Sequence, residues 1–334
     1  MKPIILGYAT SRGLDQMTKE DALLLTHVNV AFGVIRDGLL SMRGLPDLKK
    51  QMARVREMNP KLKIVLSIGG WTAGGFSLMS RTQAGRDAFG ESVRQALDDY
   101  GLDGVDIDWE YPCSDSAGID CDPSDRENFT YLMQSMRKAA GPDRIVSIAA
   151  GGGDYFVRDT QMDQVAKICD YVQIMTYDLN CFTHTTRHHT SLYAMAGSYP
   201  QGNADYCTRI FHAAGVPKEK IVLGAAFYSR KWTGVKNEKN GLLQEAESIG
   251  GYGPGYGELT EKYIGKNGFT RCWDDTAKSP YLFDGSTFIT YDDAQSIGEK
   301  CAYITENGLL GLMYWEHSCD PSGALLRAIA EGLK

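Results

Sequence analysis

Residues 104–112, GVDIDWEYP, alternate acidic side chains with bulky apolar ones. The acidic positions are Asp106, Asp108 and Glu110. The apolar positions are Val105, Ile107 and Trp109. Because successive side chains of a β-strand point to opposite faces, this spacing predicts a strand with one acidic and one apolar face.

Seven other short apolar runs share the character of this strand. They are residues 3–8, 27–32, 63–70, 145–150, 171–178, 221–228 and 311–315. Helical patterns lie between most of them, as in residues 45–58, 82–100, 125–140, 205–215 and 292–308. Strands that alternate with helices are typical of parallel βα units, and eight such units close into a (β/α)8 barrel. An open doubly wound sheet is the alternative, but it rarely has so regular an eightfold count.

The connection between the seventh and eighth predicted strands is much longer than the others. Residues 231–290 are rich in glycine and aromatic side chains, as in IGGYGPGYGELTEKYI, and they predict a small α+β insertion domain. The remaining residues, 1–230 and 291–334, would form the barrel. Such an insertion would lie at the C-terminal face of the barrel, where loops build the active site.

The barrel fixes the direction of the acidic face. One face of each strand lines the barrel interior and the other packs on the helices, so the apolar set of residues 104–112 must face outward. The three carboxyl groups then point inward, with Glu110 nearest the C-terminal mouth. Crowding and dehydration should raise at least one pKa and couple the titrations, and a glutamate with a raised pKa suits a general acid. The alternatives are a row of hydrogen-bonded acids without chemistry and a divalent metal site, although no other strand end offers matching acids.

The overall charge limits the classes of partner. The formal net charge is −7, the isoelectric point is about 5.5, and no basic stripe is present, so nucleic acids and anionic membranes are poor partners. No apolar run approaches the roughly 20 residues of a membrane helix, and the N-terminal run is too short for a secretory signal. We expect a protein that stays inside the cell or one whose export signal has been removed.

Cysteine, histidine and serine positions give weaker signals. The eight cysteines include no CxxC pair, so free thiols are expected, although Cys113 and Cys121 would form a local disulfide in an oxidising compartment. His188 and His189 form an isolated pair, which suggests a polar surface or a substrate contact rather than a metal site. Ser124, three residues before Glu127, has the spacing of a helix capping box.

The acidic segment also carries a family resemblance. The acids of DGVDIDWEYP, which begin at Asp103, fit the D-x-x-D-x-D-x-E signature of glycoside hydrolase family 18, the chitinases and their relatives. Further similar segments are LSIGG (66–70), MTYDL (175–179), HHTSLY (188–193), FYSRKW (227–232) and GLMYWEHSCD (311–320). Residues 231–290 resemble the extra domain of one chitinase subfamily. The resemblance implies that the partner is chitin or a chitooligosaccharide, and we expect a monomer without a metal or other cofactor.

The resemblance implies retaining hydrolysis assisted by the acetamido group of the substrate. Glu110 would protonate the glycosidic oxygen and later activate water. Asp108 would accept a hydrogen bond from the acetamido N–H and stabilise the oxazolinium intermediate, and the deeper Asp106 would exchange a proton or hydrogen bond with Asp108. Tyr177 would contact the acetamido oxygen, and Asp178 would contact the bound sugar.

Aromatic side chains complete the expected sugar site. Trp315 should present its flat face beneath the reacting sugar, because a rigid aromatic ring buries the apolar C–H face of a sugar well. Met175 would line the pocket floor, and Arg230 would bind a sugar hydroxyl or a site carboxylate. Weaker candidates for the same cleft are Trp71, Tyr8, Phe32 and Tyr228.

Two other functions fit the same fold. A chitin-binding lectin without turnover would typically lack the glutamate at position 110, and its presence here favours catalysis. A related endo-β-N-acetylglucosaminidase would act on glycoprotein glycans, whereas the insertion and Trp315 favour a chitinase.

Overall fold

The computed structural model describes residues 3–334, so the first two residues of the predicted barrel segment lie outside the described part. Eight parallel strands form a closed ring, which confirms the predicted (β/α)8 barrel. The strands in chain order are β1 (Ile4–Ala9), β2 (His27–Arg36), β3 (Leu39–Ser41), β4 (Lys63–Gly69), β5 (Gly104–Asp108), β6 (Ile145–Gly151), β7 (Tyr171–Met175), β8 (Ile221–Ala226), β9 (Tyr228–Trp232), β10 (Gly251–Gly255), β11 (Thr270–Asp274), β12 (Ser279–Phe283), β13 (Phe288–Thr290) and β14 (Gly311–Trp315). The barrel consists of β1, β2, β4 to β8 and β14, and β3 pairs with β2 in antiparallel orientation.

Helices surround the barrel and connect its strands. Those of the described residues are α1 (Ser11–Gln16), α2 (Lys19–Leu24), α3 (Leu48–Met58), α4 (Phe76–Ser80), α5 (Gln83–Tyr100), α6 (Asp125–Ala140), α7 (Asp154–Arg158), α8 (Met162–Ile168), α9 (Ala204–Ala213), α10 (Tyr256–Lys262), α11 (Ala294–Asn307) and α12 (Ala324–Gly332). The five helical patterns predicted from sequence correspond to α3, α5, α6, α9 and α11.

The start of α6 differs from the predicted capping box. Ser124 makes no side-chain capping bond among the described residues, and its hydroxyl instead donates to Asp122 Oδ1 at 2.7 Å. The side chain of Asp125 accepts the main-chain N–H groups of Cys113 and Asp122, at 3.3 and 2.8 Å. These two contacts hold the loop that follows β5 against the first turn of α6.

Two apolar cores separate the inside of the barrel from its outer layer. Ile4, Leu6 and Tyr8 of β1 belong to the interior cluster, whereas Ile5 and Ala9 pack in the outer cluster with the helices. This alternation is the two-residue period of a strand that is buried on both faces.

The same alternation orients β5. Val105, Ile107 and Trp109 belong to the outer cluster, and the Trp109 ring stacks on Phe76 with a centroid distance of 5.2 Å. Trp109 also meets Phe129 of α6 edge to face. The opposite, acidic face of β5 therefore points into the barrel.

A second sheet lies between β8 and β14 in the chain. It has five antiparallel strands in the order β10-β9-β13-β12-β11 and begins at Tyr228, directly after the barrel strand. Trp232 and Phe288 pack on one face of this sheet, and Leu282 and Ile289 pack with α10 on the other. The sheet thus has an apolar core of its own beside the C-terminal end of β8.

The structure also describes the cysteines and the helices that could cross a membrane. All eight cysteines lie within the described residues and are free thiols, including Cys113 and Cys121. Among residues 3–334, no helix has both the length and the apolar character that crossing a bilayer requires.

Candidate active site

The floor of the barrel mouth is a polar layer around Asp106. The strand register places this residue between Ser67 of β4 and Ser147 of β6. Asp106 Oδ2 accepts the hydroxyls of Tyr8 and Ser67, both at 2.8 Å. Asp106 Oδ1 accepts Ser147 Oγ and Gln173 Nε2, also at 2.8 Å. All of these groups are buried, so the layer is a hydrogen-bond network inside the barrel.

This network bears on the role expected for Asp106. Asp106 was expected to exchange a proton or hydrogen bond with Asp108, and in this structure its two oxygens accept four bonds from other residues. Burial raises the pKa of Asp106, while the hydrogen bonds from Ser67, Ser147, Tyr8 and Gln173 oppose that rise. The charge of Asp106 contributes to the raised pKa of Asp108, and the expected exchange between the two acids stays a prediction.

Asp108 lies one layer higher, at the last residue of β5. Its side chain is buried, and Oδ1 has no hydrogen-bond partner among residues 3–334. Burial, followed by repulsion from Glu110 and Asp106, raises the pKa of Asp108 well above its usual value. A buried carboxyl oxygen without a partner is costly, so this group is suited to receive a donor from a bound ligand.

Glu110 lies just beyond the end of β5 and lines the open cleft. Burial, together with repulsion from Asp178, raises the pKa of Glu110 to about 7, although a hydrogen bond with Tyr111 opposes the shift. A carboxyl group with this pKa can donate a proton near neutral pH and accept one back, as a general acid and base must.

Glycine allows β4 to approach the acidic strand closely. A Cβ atom on Gly69 would lie 2.0 Å from the carbonyl oxygen of Asp108, and the φ angle of Gly69 is +123°. The next residue, Gly70, donates its N–H to the same carbonyl oxygen at 2.9 Å. The LSIGG segment is therefore required for space and backbone conformation beside Asp108.

The acidic row opens into a cleft of about 900 Å³. Trp315, at the end of β14, stacks on Phe32 with a centroid distance of 5.5 Å and meets Tyr8 at 5.7 Å. Eleven of the twelve predicted site residues line this cleft, and Asp106 lies beneath it. The lining residues are Tyr8, Phe32, Trp71, Asp108, Glu110, Met175, Tyr177, Asp178, Tyr228, Arg230 and Trp315.

Asp178 anchors the side of the cleft formed by β7 and β9. Its Oδ1 accepts Tyr228 Oη at 2.6 Å and Arg230 Nε at 2.7 Å, and its Oδ2 meets a second guanidinium nitrogen at 2.5 Å. Burial alone would raise the pKa of Asp178, but the hydrogen bonds and the charge of the Arg230 guanidinium lower it overall. Asp178 is thus a fixed negative charge that faces Glu110.

Exposed aromatic side chains at the cleft rim were not predicted. Phe182 and Tyr252 are each 67% exposed, and both lie close to the Arg230 guanidinium. Tyr155 contacts Tyr111 at the opposite rim, with a centroid distance of 5.0 Å. Tyr155, Phe182 and Tyr252 lie outside the apolar runs that identified the strands, and only the glycine and aromatic content around Tyr252 pointed to this region.

The histidine pair is buried, contrary to the expected surface or substrate contact. His188 lies against the second sheet, where Nε2 is 3.3 Å from Asp274 Oδ2 and Nδ1 is 3.4 Å from Thr290 Oγ1. His189 lies beneath Asp178, with Nδ1 3.3 Å from the Asp178 main-chain nitrogen.

One group of potential metal ligands occurs among residues 3–334. The ligand atoms of Asp178, Cys181 and His189 lie within 4.8 Å of one another. Both oxygens of Asp178, however, already contact the Arg230 guanidinium. A neighbouring fixed cation opposes a metal ion, so we assign no metal role to these residues.

Residues 4–320 match the family model described as glycosyl hydrolases family 18. Chitinase A1 of Niallia circulans is 38% identical over 302 residues, which cover 82% of this chain and 43% of that protein. Chitotriosidase-1 of Mus musculus is 31% identical over 319 residues, which cover 90% of this chain and 68% of that protein. The chain thus spans less than half of the length of Chitinase A1 and about two thirds of the length of Chitotriosidase-1.

Among solved structures, a family 18 N-acetylglucosaminidase from Paenibacillus barengoltzii aligns with a TM-score of 0.96 and 46% identity. The alignment covers 99% of both chains. Chitinase ChiA74 from Bacillus thuringiensis aligns with a TM-score of 0.90 and 28% identity, over 100% of this chain and 70% of that one.

Proposed function

The chain belongs to glycosyl hydrolase family 18, and from that premise we propose that it hydrolyses β-1,4 linkages between N-acetylglucosamine units of chitin or chitooligosaccharides. The observation that carries the proposal is the buried acidic row that ends at Glu110 in an aromatic cleft. A lectin would bind the same sugars without needing a carboxyl group poised to donate a proton near neutral pH.

Glu110 acts as the general acid and base. In the first step it gives its proton to the glycosidic oxygen while the acetamido carbonyl oxygen of the same sugar attacks C1. The bond from C1 to the leaving sugar breaks, and an oxazolinium ion forms. In the second step Glu110 takes a proton from water, the water oxygen bonds to C1, and the C1 bond to the acetamido oxygen breaks. Two inversions at C1 give net retention.

Asp108 and Tyr177 orient the acetamido group. The unpaired Oδ1 of Asp108 accepts the acetamido N–H, and the negative charge of Asp108 stabilises the oxazolinium ion. The buried hydroxyl of Tyr177 donates to the acetamido oxygen, and Asp178 with Arg230 binds sugar hydroxyls. Trp315 lies beneath the ring of the reacting sugar, supported by Phe32.

We also propose an assignment for the second sheet. Residues 231–290 would be the extra domain of the chitinase subfamily that carries an insertion between the last two barrel strands, with residues 1–230 and 291–334 as the catalytic barrel. Tyr252 brings this domain to the cleft rim, which supports a role in sugar binding. The protein would act as a monomer on uncharged sugar chains.

A second candidate is removal of single N-acetylglucosamine units from chain ends. The Paenibacillus barengoltzii enzyme, an N-acetylglucosaminidase, aligns with nearly the whole of this chain, which favours that alternative. The two modes differ in the first product formed from a long oligosaccharide.

A time course on chitohexaose tests whether the protein hydrolyses the chain and whether it cuts internally or at a chain end. We expect hydrolysis, with chitobiose, chitotriose and chitotetraose as early products of internal cleavage. Early N-acetylglucosamine and chitopentaose would instead identify chain-end cleavage. Binding of chitohexaose without any product would contradict the hydrolase and favour the lectin, and cleavage of high-mannose glycopeptides alone would favour the endo-β-N-acetylglucosaminidase.

The pH profile should report the pKa of Glu110. The first step needs the protonated acid, so kcat/KM should be high below pH 7 and fall as the pH rises through about 7, where the raised pKa of Glu110 lies. Measuring kcat/KM on an uncharged chitooligosaccharide from pH 4 to pH 10 gives this limb directly.

The variant Asp178→Asn tests whether the charge of Asp178 sets the position of the alkaline limb of this pH profile. Because the charge of Asp178 contributes to the raised pKa of Glu110, its removal should move the limb to lower pH, apart from any loss of rate. An alkaline limb that keeps its position in this variant would contradict the electrostatic explanation.

A further inference from the structure

Asp178 has a backbone conformation that needs support. Its φ angle is +58°, in the left-handed region that residues other than glycine seldom adopt. Its side chain nevertheless bonds Tyr228 and Arg230 at the cleft wall with distances of 2.5 to 2.7 Å. Something must therefore fix the main chain at this position so that the carboxylate points into the cleft.

Among residues 3–334, the main-chain N–H of Asp178 has one hydrogen-bond partner, Nδ1 of the buried His189, at 3.3 Å. The main-chain carbonyl of His189 accepts the N–H of Leu179 at 3.0 Å, so two consecutive amides are bound by one residue. The imidazole ring also packs edge to face on Tyr228, with a centroid distance of 5.4 Å. His189 thus contacts both the turn that carries Asp178 and one of the side chains that bind its carboxylate.

The tautomer of His189 follows from counting partners. With the proton on Nε2, Nδ1 accepts the Asp178 N–H, and only Nε2 remains unpaired. With the proton on Nδ1, that nitrogen could only donate to Asp178 Oδ1 at a long 3.5 Å, and both the Asp178 amide and Nε2 would then be unpaired. Burial lowers the pKa of His189 against the opposing attraction of Asp178, which keeps the ring neutral.

We propose that His189 is a positioning residue whose Nδ1 accepts the Asp178 N–H and thereby holds the Asp178 carboxylate toward the sugar. The inference rests on the proposed function, because it assumes that the cleft binds the substrate. It assigns no contact between His189 and the sugar, and it gives the buried histidine a task that its sequence position did not reveal.

Two amide variants separate this role from simple packing. In His189→Asn the side-chain oxygen occupies the δ position and can accept the Asp178 N–H, so kcat/KM on chitotriose should stay within about threefold of the original protein. In His189→Gln the same amide lies at the ε position and cannot reach that N–H, so kcat/KM should fall about 10-fold or more. The loss should be in KM, because Asp178 binds the sugar, whereas a smaller folded fraction would lower apparent kcat and leave KM unchanged.

Nitrogen NMR provides a readout that needs no turnover. In protein labelled with 15N-histidine, the signal that disappears in His189→Asn belongs to His189, and we expect it to show the proton on Nε2. A proton on Nδ1, or equal kcat/KM for the Asn and Gln variants, would overturn the inference. If the original protein does not cleave chitooligosaccharides, the proposed function fails instead, and the tautomer still decides whether His189 binds the Asp178 amide.

Discussion

Replacing Glu110 by glutamine should lower kcat on chitooligosaccharides by about 10²- to 10⁴-fold and leave substrate binding almost unchanged. Glutamine has nearly the same shape but can neither donate a proton to the glycosidic oxygen nor accept one from water. Glu110 lies at the cleft surface above the buried acids, and its charge repels Asp108. Because the substitution removes that repulsion, it should not destabilise the fold. Turnover and equilibrium binding of chitotetraose measure the two effects separately.

The leaving group offers a sharper test of the acid role. An aryl glycoside with a good leaving group needs little protonation, so kcat/KM for the first step should fall less in Glu110→Gln with this substrate than with a sugar leaving group. Glu57→Gln, which changes an exposed glutamate of α3, is the matched control and should behave like the original protein. Equal losses on both substrates, or full activity of Glu110→Gln, would exclude Glu110 as the general acid.

The elements of the barrel could be predicted because each depends on a local pattern. All eight apolar runs became strands of the closed ring, and the two-residue spacing of the acids placed Asp106 and Asp108 inside it. The two-residue period identifies a barrel strand because the outer face of such a strand is apolar, whatever side chains its inner face carries. The ends of strands were less certain, since β5 stops at Asp108 and Glu110 lies beyond it.

The partners of the acids could not be predicted because they come from distant parts of the chain. Asp106 binds Ser67 and Gln173, which are 39 and 67 residues away. Serine and glutamine are common polar residues, and nothing in their local sequence marks them as interior until the strand register is known. The exchange expected between Asp106 and Asp108 stays a prediction, whereas the four partners of Asp106 could not be predicted.

The burial of His188 and His189, which lie in a loop, could not be predicted from the local sequence either. Both residues follow β7 without a regular pattern. His188 is buried against Asp274 and Thr290 of the second sheet, 86 and 102 residues later, and His189 is buried beneath Asp178 and against Tyr228. Ser124 had the spacing of a capping box, yet its hydroxyl donates to Asp122, and Asp125 accepts the N–H groups of Cys113 and Asp122 in the loop after β5. For His188 a tertiary contact, and for Ser124 a different local hydrogen bond, replaced the arrangement that the sequence favoured.

A substrate with glucosamine in place of N-acetylglucosamine at the reacting position should resist cleavage, with a rate lower by at least about 10³-fold. The free amine removes the tethered carbonyl oxygen that attacks C1. Asp108 cannot replace it, because Asp108 and Glu110 follow one another along the same strand end and approach the sugar from one side.

The control for this experiment is the isomeric oligosaccharide, in which glucosamine lies only on the leaving-group side of the scissile bond. It presents the same charge but keeps the reacting acetamido group, so its cleavage should continue. NMR of the first product should show the β anomer, because attack by the acetamido oxygen and then by water inverts C1 twice. Rapid cleavage with glucosamine at the reacting position, or an initial α anomer, would contradict the substrate-assisted mechanism, because each result requires a nucleophile other than the acetamido oxygen.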